Sequence, residues 1–129
     1  MTDAFGKALS SFGKQVVEDH RKLCGVLALK AMDKLVTRSP VDRGFFRKSW
    51  VLDEDAPSGY VPPETDSGTH GPPDLAKAAA VAEGCKPYPR LIVSNAAPYG
   101  ERLADGHSPQ APEGWVDVVV EELAALGKR

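Results

Sequence analysis

Asp105, His107 and Ser108 bring the three residue types of a hydrolase triad into four consecutive positions. Acyl transfer needs those groups to converge in space, with the serine on a constrained turn beside oxyanion donors. Close neighbours in a glycine-bearing loop do not converge in that way. The chain also has no Gly-x-Ser-x-Gly, no Gly-rich phosphate loop ending in Lys-Ser/Thr and no Gly-x-Gly-x-x-Gly. A small hydrolase built on His107 and Ser108 is therefore the rival reading, not the leading one. His20, His70 and His107 with Cys85 would form a metal site only if remote segments met, because no pair shows a ligand spacing. The simpler expectation places His20 on a solvent-facing helix and His70 on an irregular excursion. Asp53 and Asp55 sit in a polar stretch and are expected to be solvated rather than paired for acid-base work. No catalytic residue, cofactor or metal is expected.

The elements that would position these residues follow from the same sequence. With 129 residues, 42% of them hydrophobic and 26% charged, the chain has the composition of one soluble domain, and two full domains are excluded. No apolar run is long enough to span a membrane, and the first ten residues do not read as a secretory signal. Cys24 and Cys85 have no Cys-x-x-Cys companions and are expected to be free thiols. Charge is divided unevenly: residues 1–50 hold 10 Lys+Arg against 5 Asp+Glu, and residues 51–129 hold 6 against 13. Such a bipolar chain can stack against copies of itself or against complementary neighbours. A DNA-contacting module working through the basic first helix is a further alternative, with strong salt dependence as its mark.

From Asp3 to about Val36 there is no proline, and Leu9, Phe12, Val16, Leu23, Leu27, Ala31 and Leu35 recur at spacings of three, four or seven. The pattern predicts an amphipathic helix of about 50 Å, longer than the roughly 36 Å breadth of a compact domain of this size. Part of the helix should overhang its own domain. Gly25 marks the place where a break would compete with a continuous helix. Ser39-Pro40 ends the element, and a turn at 41–44, with Asp42 capping backbone amides beside Gly44, leads into 45–52, read as a strand from which Arg47 and Trp50 project. Residues 53–73 are proline-rich and polar and read as a long flexible surface excursion. A helix over 74–83, with Pro73 as its first residue and Gly84 at its stop, precedes a strand at 90–94. In 113–126, Trp115, Val116, Val119, Val120, Leu123 and Leu126 share one helical face opposite Asp117, Glu121 and Glu122. The expected fold is α+β: a long N-terminal helix, a small antiparallel sheet and a C-terminal helix.

Two stretches bear a family resemblance. Residues 39–50 read Ser-Pro-Val-Asp-Arg-Gly-Phe-Phe-Arg-Lys-Ser-Trp, and residues 95–116 run from Asn-Ala-Ala-Pro-Tyr-Gly through His-Ser-Pro-Gln-Ala-Pro-Glu-Gly-Trp-Val. In this order, behind a long helix, they resemble the neck or tail-completion proteins of long-tailed bacteriophages, similar to the minor tail protein Z group of lambda-like phages. That family's pattern reads Pro-Val-Asp-x-Gly, then Leu or Phe, Arg, any residue, Ser, Trp; later come Asn-x-x-Pro-Tyr, Leu-Glu-x-Gly and His-Ser-x-Gln-Ala-Pro-x-Gly. Ala104-Asp105-Gly106 departs from it, keeping an acid but displacing it by one position.

The resemblance implies a structural virion protein of the head-tail junction, made in the host cytoplasm, with a tail-terminator ring as a related alternative. Its expected partners are copies of itself in a ring, a hexamer being favoured, together with neighbouring neck, head-closure and tail-terminator proteins, passive contact with packaged DNA and no membrane. Leu9, Phe12, Val16, Leu23, Arg47, Tyr99 and Gln110 are the expected subunit or partner contacts. Asp42, Gly44, Trp50, Pro98 and Trp115 are the expected structural anchors, Trp115 holding the last helix to the sheet and Pro98, Pro109 and Pro112 stiffening the second motif.

Overall fold

A computed structural model of the chain describes residues 2–98 and 113–127. Its fold is α+β: α1 (Thr2–Arg38), α2 (Phe45–Lys48), β1 (Trp50–Glu54), α3 (Leu75–Glu83), β2 (Leu91–Asn95) and α4 (Trp115–Gly127). The strands form a two-stranded antiparallel sheet in which Trp50 pairs with Asn95, Leu52 with Val93 and Glu54 with Leu91. A two-stranded sheet has too little surface to stand alone, and α1 supplies the missing wall. The core joins Met32, Leu35 and Val36 of α1 to Phe46, Trp50 and Leu52, to Ala78 and Ala82 of α3, and to Trp115 and Val119 of α4.

The first helix is continuous through Gly25, and the reason is packing. A Cβ at Gly25 would lie 2.7 Å from the backbone carbonyl oxygen of Ala82, so the glycine permits α3 to cross α1 in close contact. Gly6 and Gly13 meet nothing comparable. Arg21 secures the same crossing: it donates to Glu83 O at 2.8 Å and Cys85 O at 3.3 Å, satisfying carbonyls at the end of α3.

Several boundaries differ from the sequence expectation. Residues 45–48 are a helical turn, with Lys48 N donating to Gly44 O at 2.9 Å and Ser49 N to Phe45 O at 3.0 Å. Thus Arg47 sits on α2 rather than on a strand, and β1 begins at Trp50. The turn is opened by Gly44 at positive φ and closed by Ser49, whose N–H and hydroxyl both donate to Phe45 O, and it leaves the buried Phe46 and Trp50 rings meeting edge-on at 5.7 Å. Asp42 does not cap this turn: α2 starts from Gly44, which has a φ of 86° and no side-chain cap. Only glycine fits there, since a Cβ would also collide with the carbonyl of His70. At α3 the cap is Asp74, whose carboxylate accepts from Ala76 N at 2.9 Å, and Pro73 lies outside the helix.

The last helix packs mainly along α1, which corrects its expected attachment to the sheet. Trp115 is buried with its ring 6.4 Å from that of Phe46. Val120, expected on the inner face, is exposed, whereas Glu122, expected outside, reaches back to Lys34 at 3.0 Å and Arg38 at 2.9 Å. The excursion expected over 53–73 begins only at Asp55, because Asp53 and Glu54 pair with Ile92 and Leu91 in the sheet; residues 55–73 run mostly exposed over the surface, touching down where Pro62 is buried and where His70 N donates to Arg43 O at 2.6 Å.

The glycines of α1 should respond oppositely to the same substitution. Gly25→Ala places a methyl against backbone and should cost about 1–3 kcal/mol, whereas Gly13→Ala should stabilise the monomer by up to about 1 kcal/mol. Urea unfolding of both variants checks the contrast.

Candidate functional site: an assembly surface on the first helix

Contacts inside the domain occupy only the C-terminal part of α1. At 37 residues the helix is about 55 Å long, from its 1.5 Å rise per residue. Its first fully buried residue is Gly25. Before it, Phe5 is 71% exposed, Leu9 58%, Phe12 68% and Val16 51%, and Leu23 is exposed as well, as is Val26 just after it. At 3.6 residues per turn, Phe5, Leu9, Phe12, Val16 and Leu23 fall within about 60° of one another around the helix. They lie nearly opposite the row Gly25, Leu29, Met32 and Val36 that faces the core. The single apolar stripe expected from the sequence is therefore two. One is filled from within the domain. The other contains the four expected α1 contact residues, all solvent-exposed.

The first family-like stretch proves to be a clasp at the C-terminal end of α1. Trp50 Nε1 donates to Ser39 Oγ at 2.6 Å, and Ser39 Oγ donates to Leu35 O at 2.5 Å, so a buried serine joins the indole to a terminal helix carbonyl. Asn95 ties in the start of the second stretch. Its Nδ2 donates to Phe46 O at 2.8 Å, and its Oδ1 accepts from Ala97 N at 3.0 Å. Ser39, Ser49 and Asn95 were not singled out from the sequence. Their polar side chains gave no hint of burial, although Ser39 and Asn95 flank the two motifs. Gly44 has a positive φ and Trp50 is buried. Pro98 is exposed, and Arg47 Nε is buried without a hydrogen-bond partner.

Tyr99, Asp105, His107, Ser108, Pro109, Gln110 and Pro112 lie outside the described residues, so the candidate triad and the second contact motif have no geometry here. Among the described residues no three His, Cys, Asp or Glu side chains are grouped as a metal site. His20 is exposed and stacks with Tyr88 at 5.5 Å, and the His70 ring sits edge-on to Phe45 at 5.4 Å. The two aspartates have separate partners: Asp53 Oδ2 accepts from Ser58 N at 3.0 Å, and Asp55 pairs with Lys86 at 2.7 Å. Cys24 and Cys85 are free. Among the described residues, no helix is long and apolar enough to cross a membrane.

Electrostatics in the described part stabilise helix contacts. Arg38 first, and then Lys34, hold the Glu122 carboxyl below its ordinary value of 4.5 by hydrogen bonding and charge. Hydrogen bonding from Arg21 likewise lowers Glu18. A carboxyl with a depressed folded-state pKa contributes stability above its unfolded value, and that contribution disappears as pH falls through the folded one.

Two variants separate these roles. Ser39→Ala leaves the buried Trp50 N–H without its acceptor and should cost about 1–3 kcal/mol at all pH values. Glu122→Gln should lower stability at neutral pH and flatten the decline in melting temperature on acidification below about 4.5, the ordinary carboxyl value. Thermal melts at a series of pH values read both. Comparison of the chain with family models, with curated proteins and with solved structures finds no match.

Proposed function

We propose that this protein is a structural subunit of a phage head-to-tail connection, in which copies form a ring at the neck and help join the finished tail to the DNA-filled head. The observation that supports this reading best is the exposed apolar row on α1. Four large side chains, Phe5, Leu9, Phe12 and Val16, stand in solvent on a helix segment that no other described element covers. Burying one such side chain is favourable by roughly 1.5–3 kcal/mol, and contiguous exposed apolar surface of this kind marks interaction sites. The clasp of Ser39, Trp50 and Asn95 adds a second line of support. It gives the two family-like stretches a shared mechanical task, which is to fix the direction in which α1 leaves the body.

In this role Leu9, Phe12, Val16 and Leu23 meet a neighbouring subunit, and Arg47, Tyr99 and Gln110 belong to other contacts of the ring. The neighbours are copies of this chain, with head-closure and tail-terminator proteins above and below. No catalytic step is part of this role.

Phe12→Asp tests the proposal directly. Phe12 is outside the core, so the variant should melt within about 0.5 kcal/mol of the wild type, as exposed substitutions do, yet fail to complement head-to-tail joining. Normal joining by a well-folded Phe12→Asp protein would refute the proposed role of α1. Turnover of ester, peptide or phosphodiester substrates that disappears in Ser108→Ala would instead favour the hydrolase.

A further inference from the structure

The exposed row on α1 has a definite period. Phe5, Leu9, Phe12, Val16, Asp19, Leu23 and Val26 are spaced four, three, four, three, four and three residues apart, and each is exposed. A 3.5-residue repeat is the seam of a left-handed coiled coil, in which each apolar side chain enters a hole formed by four residues of a facing helix. Its natural occupant is another helix with the same repeat.

We infer that the N-terminal halves of α1 from adjacent copies pack side by side, parallel and in register, as a left-handed helical bundle around the ring axis. This inference rests on the ring proposed above and names how its subunits meet. A second copy is the occupant because no other described helix offers such a seam. On α4, Trp115 and Val119 are buried and Leu123 packs against the core, while the exposed Val118 and Val120 lie on different sides of the helix.

The positions flanking the seam support the same occupant. In the first two heptads they are Gly6 and Gly13 on one side and Ala8 and Gln15 on the other. None of these four is charged, so the first two heptads select no helix of opposite charge; in the third heptad the flanks are His20 and Lys22. A Cβ at Gly6 or Gly13 would meet nothing within 4 Å in the monomer. A neighbouring helix gives those glycines a function, the close approach that Gly25 already provides against α3. Lys7, Lys14 and Arg21 recur every seven residues on the side away from the seam, and in a bundle the two lysines point outward into water.

Asp19 fixes the kind of bundle. It is the one charged member of the seam, exposed, and accepts from Gln15 Nε2 at 2.8 Å. A dimer or trimer would bury facing carboxylates in a dry core, which is unfavourable. A bundle of more than three helices leaves room on its axis for water at the Asp19 layer while the apolar layers beside it stay packed, and its parallel helices hold every globular body at one end, as a ring requires.

Single cysteines and a short bismaleimide, in a Cys24→Ser, Cys85→Ala background that removes both native thiols, together with the native mass, decide the geometry in purified protein and in assembled particles. One thiol per chain allows one link, so Phe12→Cys should give a linked pair from an oligomer whose native mass is more than three copies, whereas a mixture of Phe5→Cys and Val16→Cys should give no mixed product beyond background. A mixed 5–16 product would mean antiparallel pairing and overturn the inference. So would a native mass of two or three copies. Absence of self-linking in both samples also overturns it. Should Phe12→Asp then still abolish joining, the seam serves a different neck protein and the proposed function stands. Should Phe12→Asp join normally, both fall.

Discussion

A helix longer than the body it belongs to is the constraint on which this structure depends. About 55 Å of α1 meets a core built from two short strands and three further helices, and that core reaches only as far as Gly25. From Gly25 onward, burial against α3, α4 and the sheet stabilises the helix. Before Gly25 the helix has its own hydrogen bonds, the Glu18–Arg21 pair, the ties that Arg21 makes to the end of α3 and the tilted contact of His20 with Tyr88. A helical segment without tertiary packing has only propagation to hold it, and Gly6 and Gly13 weaken this one. A stretch so poor in local support and so rich in exposed apolar residues is the one that the proposed association would complete.

The remaining elements are arranged to aim that helix. The Trp50–Ser39–Leu35 relay joins the first residue of β1 to the last turn of α1, and Asn95 joins the end of β2 to α2. Lys34 and Arg38 hold α4 alongside through Glu122. The relay and the Glu122 pairs grip the C-terminal third of α1, while Asn95 braces α2 against β2. The small body therefore acts as a mount whose orientation sets where the projecting half points. Buried hydrogen bonds suit this task, because their geometry is directional where apolar packing alone is not.

Much of this was legible in the sequence. Proline-free periodicity gave α1, Ser39-Pro40 its end, and Gly84 the end of α3. The α+β class followed from the order of elements. The overhang of α1 followed from comparing its length with the breadth of a compact domain. What was illegible has particular physical causes. Strand-like residues at 45–48 wind into a helical turn because Gly44 at positive φ starts it and Ser49 closes it onto Phe45 O with both its N–H and its hydroxyl. Periodicity alone merged two stripes on α1, since Leu9 and Leu35 fit one list while facing different surroundings. Glu122 was assigned outward by its charge, but two cations on α1 draw it inward. Ser39 and Asn95, both polar, became connectors only once the fold brought acceptors and donors to them.

Amide hydrogen exchange along α1 tests the central claim most directly, since it reads local stability residue by residue. In the protein at a concentration where its mass is that of a monomer, residues 3–20 should exchange rapidly while residues 25–38 are protected. In the assembled ring, protection should extend to about residue 5. Uniform strong protection of the whole helix in a proven monomer, or no gain of protection over residues 3–20 on assembly, would contradict the account.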